Sequence, residues 1–134
     1  MLPLLHRSFV QLYQQLTAAN PQRTRLLEYL EQHYHEKITC QQVADYMCVS
    51  VRTLHRFVKA ETGRSLIDLQ QHIRIKHAMK LLETTTDSVT GIAYSVGFDS
   101  GSTFCTVFRK ARGVTPLKYR QLLLSEKNGI YLLQ

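Results

Sequence analysis

VADYMCVSVRTLHRFVKAETG, residues 43–63, and IAYSVGFDSGSTFCTVFRKARG, residues 92–113, are two versions of one pattern. Ala44 corresponds to Ala93 at a separation of 49, while Leu54 corresponds to Phe104 and Gly63 to Gly113 at a separation of 50. One extra residue in the second turn absorbs the difference. Each copy reads as a short helix, a tight turn, a second helix and a glycine stop, which is the helix-turn-helix plan. Ala44 and Ala93 are small because the second helix must cross the first closely. Leu54, Phe57 and Val58 in one copy, and Phe104, Val107 and Phe108 in the other, recur at helical spacing and face inward. The opposite face of each second helix is left free for a groove.

Working outward, Thr39-x-x-Gln42 is a capping box that opens the first short helix, and Ser50 caps the helix from Val51 to about Glu61. Ser65 starts a long helix to about Glu83, with Leu66, Leu69, Ile73, Ala78, Leu81 and Leu82 inward and Arg74, Lys76 and Lys80 along its middle. TTTDS at 84–88 is a polar loop ending in a cap, and Asp99 or Ser100 caps the second copy's second helix. Thr115-Pro116 opens a last helix through about Leu124, with proline at the first helical position. Upstream, Asn20-Pro21 opens a helix whose inward face is Leu26, Leu27, Leu30 and Tyr34. Leu5, Phe9, Leu12 and Leu16 form an apolar stripe that docks on the body or pairs with a second copy. The predicted fold class is therefore all-α, with about seven helices plus an N-terminal helix. Its expected divisions are an N-terminal helix or linker remnant at 1–20, a first helix-turn-helix subdomain at 21–64, a connecting helix at 65–83, a second subdomain at 84–124 and a tail at 125–134. Residues 130–133 of that tail fold back on the body or form a loose end.

The 134 residues suit one domain or two very small ones sharing a core, and a 44% hydrophobic fraction permits a real core. No stretch approaches the ~18 apolar residues of a membrane span. Arg7 interrupts the apolar start and no signal-peptide cleavage pattern follows it. Three cysteines, Cys40, Cys48 and Cys105, with no C-x-x-C pair, suggest neither disulfides nor zinc, and reduced cytoplasmic thiols are expected. His33/His35 and His72/His77 are the only ligand-like pairs, and their spacing suits a metal poorly. No carboxylate pair, nucleophile site or phosphate-cradling glycine loop occurs, so the expectation is a non-enzyme without cofactor or metal.

The net charge of +7 is not spread evenly. Residues 50–120 hold twelve Lys or Arg against five Asp or Glu, so the whole surplus lies there. A basic surplus fits a polyanion, most commonly nucleic acid. The first copy's outward residues are Val51, Arg52, Thr53, His55, Arg56 and Lys59. Arg52 and Arg56 stand one turn apart, and either can bond a guanine through O6 and N7. Lys59 lies further along and suits a phosphate. In the second copy Gly101, Ser102, Thr103 and Thr106 are small and uncharged, able to bond a base edge or to touch a thymine methyl. Arg109, Lys110 and Arg112 near that helix's end suit phosphates, which position without specifying sequence. The helix starts at Thr39, Ser88 and Thr115 can also meet phosphates through backbone N–H groups, although capping alone accounts for each.

The chain resembles the DNA-binding domain of the AraC/XylS family of bacterial transcription regulators over roughly residues 22–122. The resemblance is carried by Ser50-Val-Arg-Thr-Leu-His-Arg-Phe, by Glu61-Thr-Gly-Arg-Ser, by Ile92-Ala-x-x-x-Gly-Phe-Asp-Ser-x-Ser-x-Phe-x-x-x-Phe-Arg-Lys, and by Gly113-x-Thr-Pro-x-x-Tyr-Arg. It implies two subdomains joined by the helix at 65–83, whose second helices enter successive major grooves ~34 Å apart on one face of DNA. It implies base contacts from Arg52, His55 and Arg56, then Gly101, Ser102, Thr103 and Thr106. It also implies a regulator, more often an activator, that contacts RNA polymerase. The position of Thr106 is commonly arginine in that family, and Cys48 stands where glycine is frequent. A left-handed Cys48 implies strain of about 1 kcal/mol. Family members usually carry a further effector-binding or dimerising domain, so the chain is expected to be a fragment, with residues 1–20 the end of a linker, rather than the alternative of a short stand-alone regulator, and residues 1–20 or that domain offer a route to a homodimer. The competing expectation, motivated by Gly101, Thr106 and the stripe at 5–16, is a protein-interaction module that has lost DNA reading.

Overall fold

The structure is a computed structural model that describes residues 20–128, and among these it contains seven helices and no strand. They are α1 (Pro21–His33), α2 (Cys40–Met47), α3 (Val51–Thr62), α4 (Leu66–Thr84), α5 (Val89–Ser95), α6 (Gly101–Arg112) and α7 (Pro116–Asn128). The all-α class is as the sequence implied. The stripe Leu5, Phe9, Leu12 and Leu16, dimerisation through residues 1–20, and the segment 130–133 lie outside the described residues.

The chain divides into two compact units. The first takes residues 20–33 and 38–66 of the described chain, and the second takes 34–37 and 67–128. In the first unit α2 packs on α1 and α3. Its core is aliphatic: Leu26, Leu30, Val43, Ala44, Leu54 and Val58 have no exposed surface. In the second unit α6 packs on α5 and α7. Ile75, Ala78 and Leu82 of α4 join Ile92, Ala93, Val96, Phe98, Phe104 and Phe108 in one buried cluster. That core is aromatic, with Phe98, Phe104, Phe108 and Tyr119 in successive ring contacts of 5.3, 5.7 and 5.5 Å between centroids.

Tyr34 departs from expectation. It is not on the inward face of α1, because that helix ends at His33, and residues Tyr34–Lys37 belong to the second unit. There its ring stacks on His77 at 4.0 Å with an interplanar angle of 2°. Four further bonds hold its neighbourhood. Arg74 donates through Nε to the Tyr34 carbonyl at 2.6 Å and through Nη2 to the Glu36 carbonyl at 2.9 Å. Gln70 Nε2 donates to the same two carbonyls at 3.2 and 2.9 Å. A helix-period reading cannot see this, because those partners are backbone oxygens 34 to 40 residues away.

Two smaller corrections concern α4 and α7. Leu66, Leu69, Ile73, Ala78 and Leu82 are buried as expected, while Leu81 is only half-buried and Ile75, at 2% exposure, joins the inward face of α4. Helix α7 continues past Leu124 to Asn128, so the expected tail at 125 begins inside it. Ser125 and Glu126 offer no break, and the first glycine comes at 129.

Candidate nucleic-acid interface

The repeat seen in sequence is reproduced atom by atom at the starts of α3 and α6. Ser50 Oγ accepts from the Thr53 amide at 3.1 Å and donates to Thr53 Oγ1 at 3.0 Å. Ser100 does the same with Thr103 at 3.1 and 3.0 Å, which makes Ser100, not Asp99, the cap. The turns also agree. The Val49 amide donates to the Ala44 carbonyl and the Phe98 amide to the Ala93 carbonyl, both at 3.0 Å. Gly63 and Gly113 close the two helices with left-handed φ of 71° and 82°. Thr39 and Gln42 form both bonds of a capping box, and Ser88 and Thr115 accept from the Gly91 and Lys118 amides. Those three hydroxyls are thus accounted for as caps.

The tight turns differ at one residue with mechanical consequences. Cys48 is left-handed (φ 58°), among the described residues the single non-glycine with positive φ. Its counterpart Gly97 has φ 105°, and a Cβ there would lie 2.7 Å from the His35 carbonyl oxygen. Gly97 is therefore required twice over, by backbone angle and by close approach. Cys48 carries the strain expected of a non-glycine in that region. The next residue differs too: Phe98 is buried at 4%, whereas Val49 stays 36% exposed. In the first unit an apolar cavity of about 140 Å³ remains beside that turn, lined by Gln22, Met47, Val49, Thr53, Leu54 and Phe57.

Five of the six expected outward residues of α3 are exposed, and Val51 is half-buried. Arg52, Thr53, His55, Arg56 and Lys59 are exposed, while Leu54 and Val58 are fully buried behind them. Among the described residues no ion pair engages Arg52 or Arg56, so their guanidinium groups remain available to an incoming acceptor. Lys59 Nζ donates to the Gly63 carbonyl at 3.3 Å, a bond that also suits the negative end of its helix. On α6, Ser102, Thr103, Thr106, Arg109, Lys110 and Arg112 are exposed, with three of these basic residues in the last turn. Gly101 is half-buried, and a Cβ on it would make a tight contact of 3.3 Å with the side-chain Oγ1 of Thr90 on α5. Thr106 Oγ1 donates to the Ser102 carbonyl at 3.1 Å. Of the one acidic residue in this turn region, Asp99, the charge is met by Lys37 Nζ at 3.2 Å, an exposed pair of small energetic worth.

Sequence reasoning missed the residues that fix these helices from behind. Arg74 not only holds two carbonyls but also lies over the Phe98 ring, 5.5 Å from its centroid. Burial lowers its pKa from the ordinary arginine value, and the nearby Asp99 charge acts in the opposite sense. Arg120 donates to the carbonyls of Leu82, Thr85 and Asp87, tying α7 to the end of α4 and its loop. Tyr119 donates to Glu83 Oε1 at 2.8 Å. Desolvation and that carboxylate raise its pKa above the ordinary value, with Arg112 opposing. Arg25 braces α1 on α2 through the Tyr46 carbonyl at 3.1 Å and the Tyr46 ring at 5.1 Å. Two of these carry a signal in sequence, since Tyr119-Arg120 closes the last motif quoted above. Among the described residues no three His, Cys, Asp or Glu gather as a metal site, and no helix is long and apolar enough to cross a membrane.

Two identically capped helices, each buried on one side and exposed on the other behind a small-residue crossing, define a DNA-binding domain of the helix-turn-helix class. The sequence model of the family described as "Helix-turn-helix domain" matches residues 43–122, and the chain belongs to that family, as an AraC/XylS-type DNA-binding domain. It is 36% identical over 121 residues to the HTH-type transcriptional activator RhaS of Enterobacter sp. (strain 638), covering 90% of this chain and 43% of that relative. The chain thus spans less than half the length of the curated relatives it matches. The C-terminal domain of AraT, a response regulator from Geobacillus stearothermophilus, superposes with a TM-score of 0.71 at 36% identity, over 77% of this chain and 86% of that one. The DNA-binding domain of AdpA, a global transcriptional factor solved with a target DNA, superposes with a TM-score of 0.74 at 27% identity, over 78% and 95%.

Proposed function

We propose that this chain binds double-stranded DNA sequence-specifically and regulates transcription as an activator, with α3 and α6 lying in two successive major grooves. The observation that carries this reading is the atomic identity of the two helix starts: the same Ser–Thr cap and turn bond present two matched outward faces. In this reading Arg52, Thr53, His55 and Arg56 meet base edges in one groove, and Gly101, Ser102, Thr103 and Thr106 in the other. Lys59, Arg109, Lys110 and Arg112 meet phosphates, and the Lys59 ammonium has two donors beyond the one it gives to the Gly63 carbonyl. The likeness to a named activator and to a domain solved on its target DNA supports it. RNA polymerase is the protein partner an activator needs. Self-association through residues 1–20 or through a further domain, and action in the cytoplasm, complete the reading.

Titration of DNA at several salt concentrations is the test. A DNA-binding domain gives a steep linear fall of log affinity with log salt, and a protein-interaction module does not. Arg52→Ala and Arg56→Ala each weaken specific binding by about 1–3 kcal/mol and relax the preference for the base they read. Unchanged affinity and unchanged preference in both variants would remove these arginines from the reading face.

A further inference from the structure

We propose that α6 selects thymine through the methyl group of Thr106, so that the two reading helices use opposite chemistries; this rests on the DNA-binding reading above. Thr106 occupies the α6 position that corresponds, 50 residues earlier, to Arg56 on α3. Both are exposed, one turn beyond the cap region. A guanidinium at that position recognises a pair of acceptors such as guanine O6 and N7. A threonine there offers a hydroxyl and a methyl, and the structure separates the two. Its Oγ1 donates to the Ser102 carbonyl of its own helix at 3.1 Å. In a helix the staggered χ1 position that runs into the preceding turn excludes a methyl, although a threonine hydroxyl bonded to the i−4 carbonyl tolerates it. With the oxygen turned back on the helix, the methyl lies in one of the two open positions and is the part of the side chain left to meet the groove. The neighbouring Thr103 Oγ1 accepts from the Ser100 cap, so it offers a base its O–H as a donor but has one acceptor site filled. In the major groove the thymine C5-methyl is the one apolar feature that distinguishes a base pair.

The test uses the full chain and a high-affinity DNA selected from a random pool, with each thymine of the second half-site replaced singly by uracil, which lacks only that methyl. One such replacement lowers affinity about fourfold, the worth of one buried methyl. Thr106→Val, which keeps a methyl at the same staggered position and has no hydroxyl, retains both the affinity and the thymine-over-uracil ratio. Thr106→Ser, which keeps the hydroxyl and loses the methyl, brings the ratio to one while leaving uracil-containing DNA bound as before. The proposal is overturned if no thymine in that half-site is sensitive while sequence-specific binding persists, or if Thr106→Val loses the discrimination that Thr106→Ser keeps. Binding with no sequence preference anywhere would overturn the DNA-reading assignment itself, which the first two outcomes leave standing.

Discussion

Replacing Gly97 by alanine tests how the second unit is held together. At this position φ is 105°, and the added Cβ lies 2.7 Å from the His35 carbonyl oxygen and 2.9 Å from its carbonyl carbon and Cα. The backbone angle alone costs about 1–2 kcal/mol in an L-residue. The overlap is with backbone, not with a side-chain tip that can swing aside. That backbone is fixed on both sides, at Tyr34 and Glu36, by Arg74 and Gln70. Relief therefore requires loosening bonds to a charged donor, worth about 1.5–3 kcal/mol each. The expected destabilisation is about 3 kcal/mol or more, read as a lower midpoint in urea unfolding followed by circular dichroism, with the slope unchanged. Cys48→Gly at the corresponding turn is the control. It relieves strain of about 1 kcal/mol but adds unfolded-chain entropy of similar size, so stability stays within about 0.5 kcal/mol. A Gly97→Ala variant within about 1 kcal/mol of the parent would refute the claim that residues 34–37 form a fixed wall behind that turn.

Arg74→Ala strips two carbonyls of a charged donor and removes the cation from the Phe98 ring, so the second unit loses about 2–3 kcal/mol; amide hydrogen exchange should quicken most in α5 and α6. Arg109→Ala weakens all DNA sequences alike and flattens the log–log salt slope by about one, whereas a change of sequence preference would place it on a base edge. Tyr119 contributes through pH. Its raised pKa means the folded state holds the phenolic proton more tightly than the unfolded chain does. That stabilisation is complete below the ordinary tyrosine value near 10.0 and is lost as pH rises through the folded value. Alkaline melting should therefore fall less steeply in Tyr119→Phe than in the parent, and parallel curves would exclude it.

Most of the fold was legible because its signals are local. A capping serine, a left-handed glycine and apolar residues at helical spacing each act within four or five residues, so α2, α3, α5 and α6 were bounded closely by pattern alone. The exposed faces of α3 and α6 followed from the same periodicity. What pattern could not give was long-range bonding to backbone oxygens. Arg74 reads in sequence as one more charge on a basic helix, yet its partners lie 38 to 40 residues away. Tyr34 continues the spacing of α1 although the helix has ended, because the next four residues are claimed by the other unit. Gly101 reads as part of the outward face, and the structure adds that it is half-buried with the Thr90 side chain beside it. Helix α7 outran its expected end because no breaker intervenes before Gly129.

Sequencing the fragments this chain retains from a random double-stranded pool shows whether α3 and α6 both read DNA. Two enriched blocks are expected, centred about 10–10.5 base pairs apart, one helical turn. One block should be guanine-containing and sharply specified, as arginines require, and the other looser and thymine-bearing. A single enriched block, or two blocks off the helical repeat, would contradict reading by both helices.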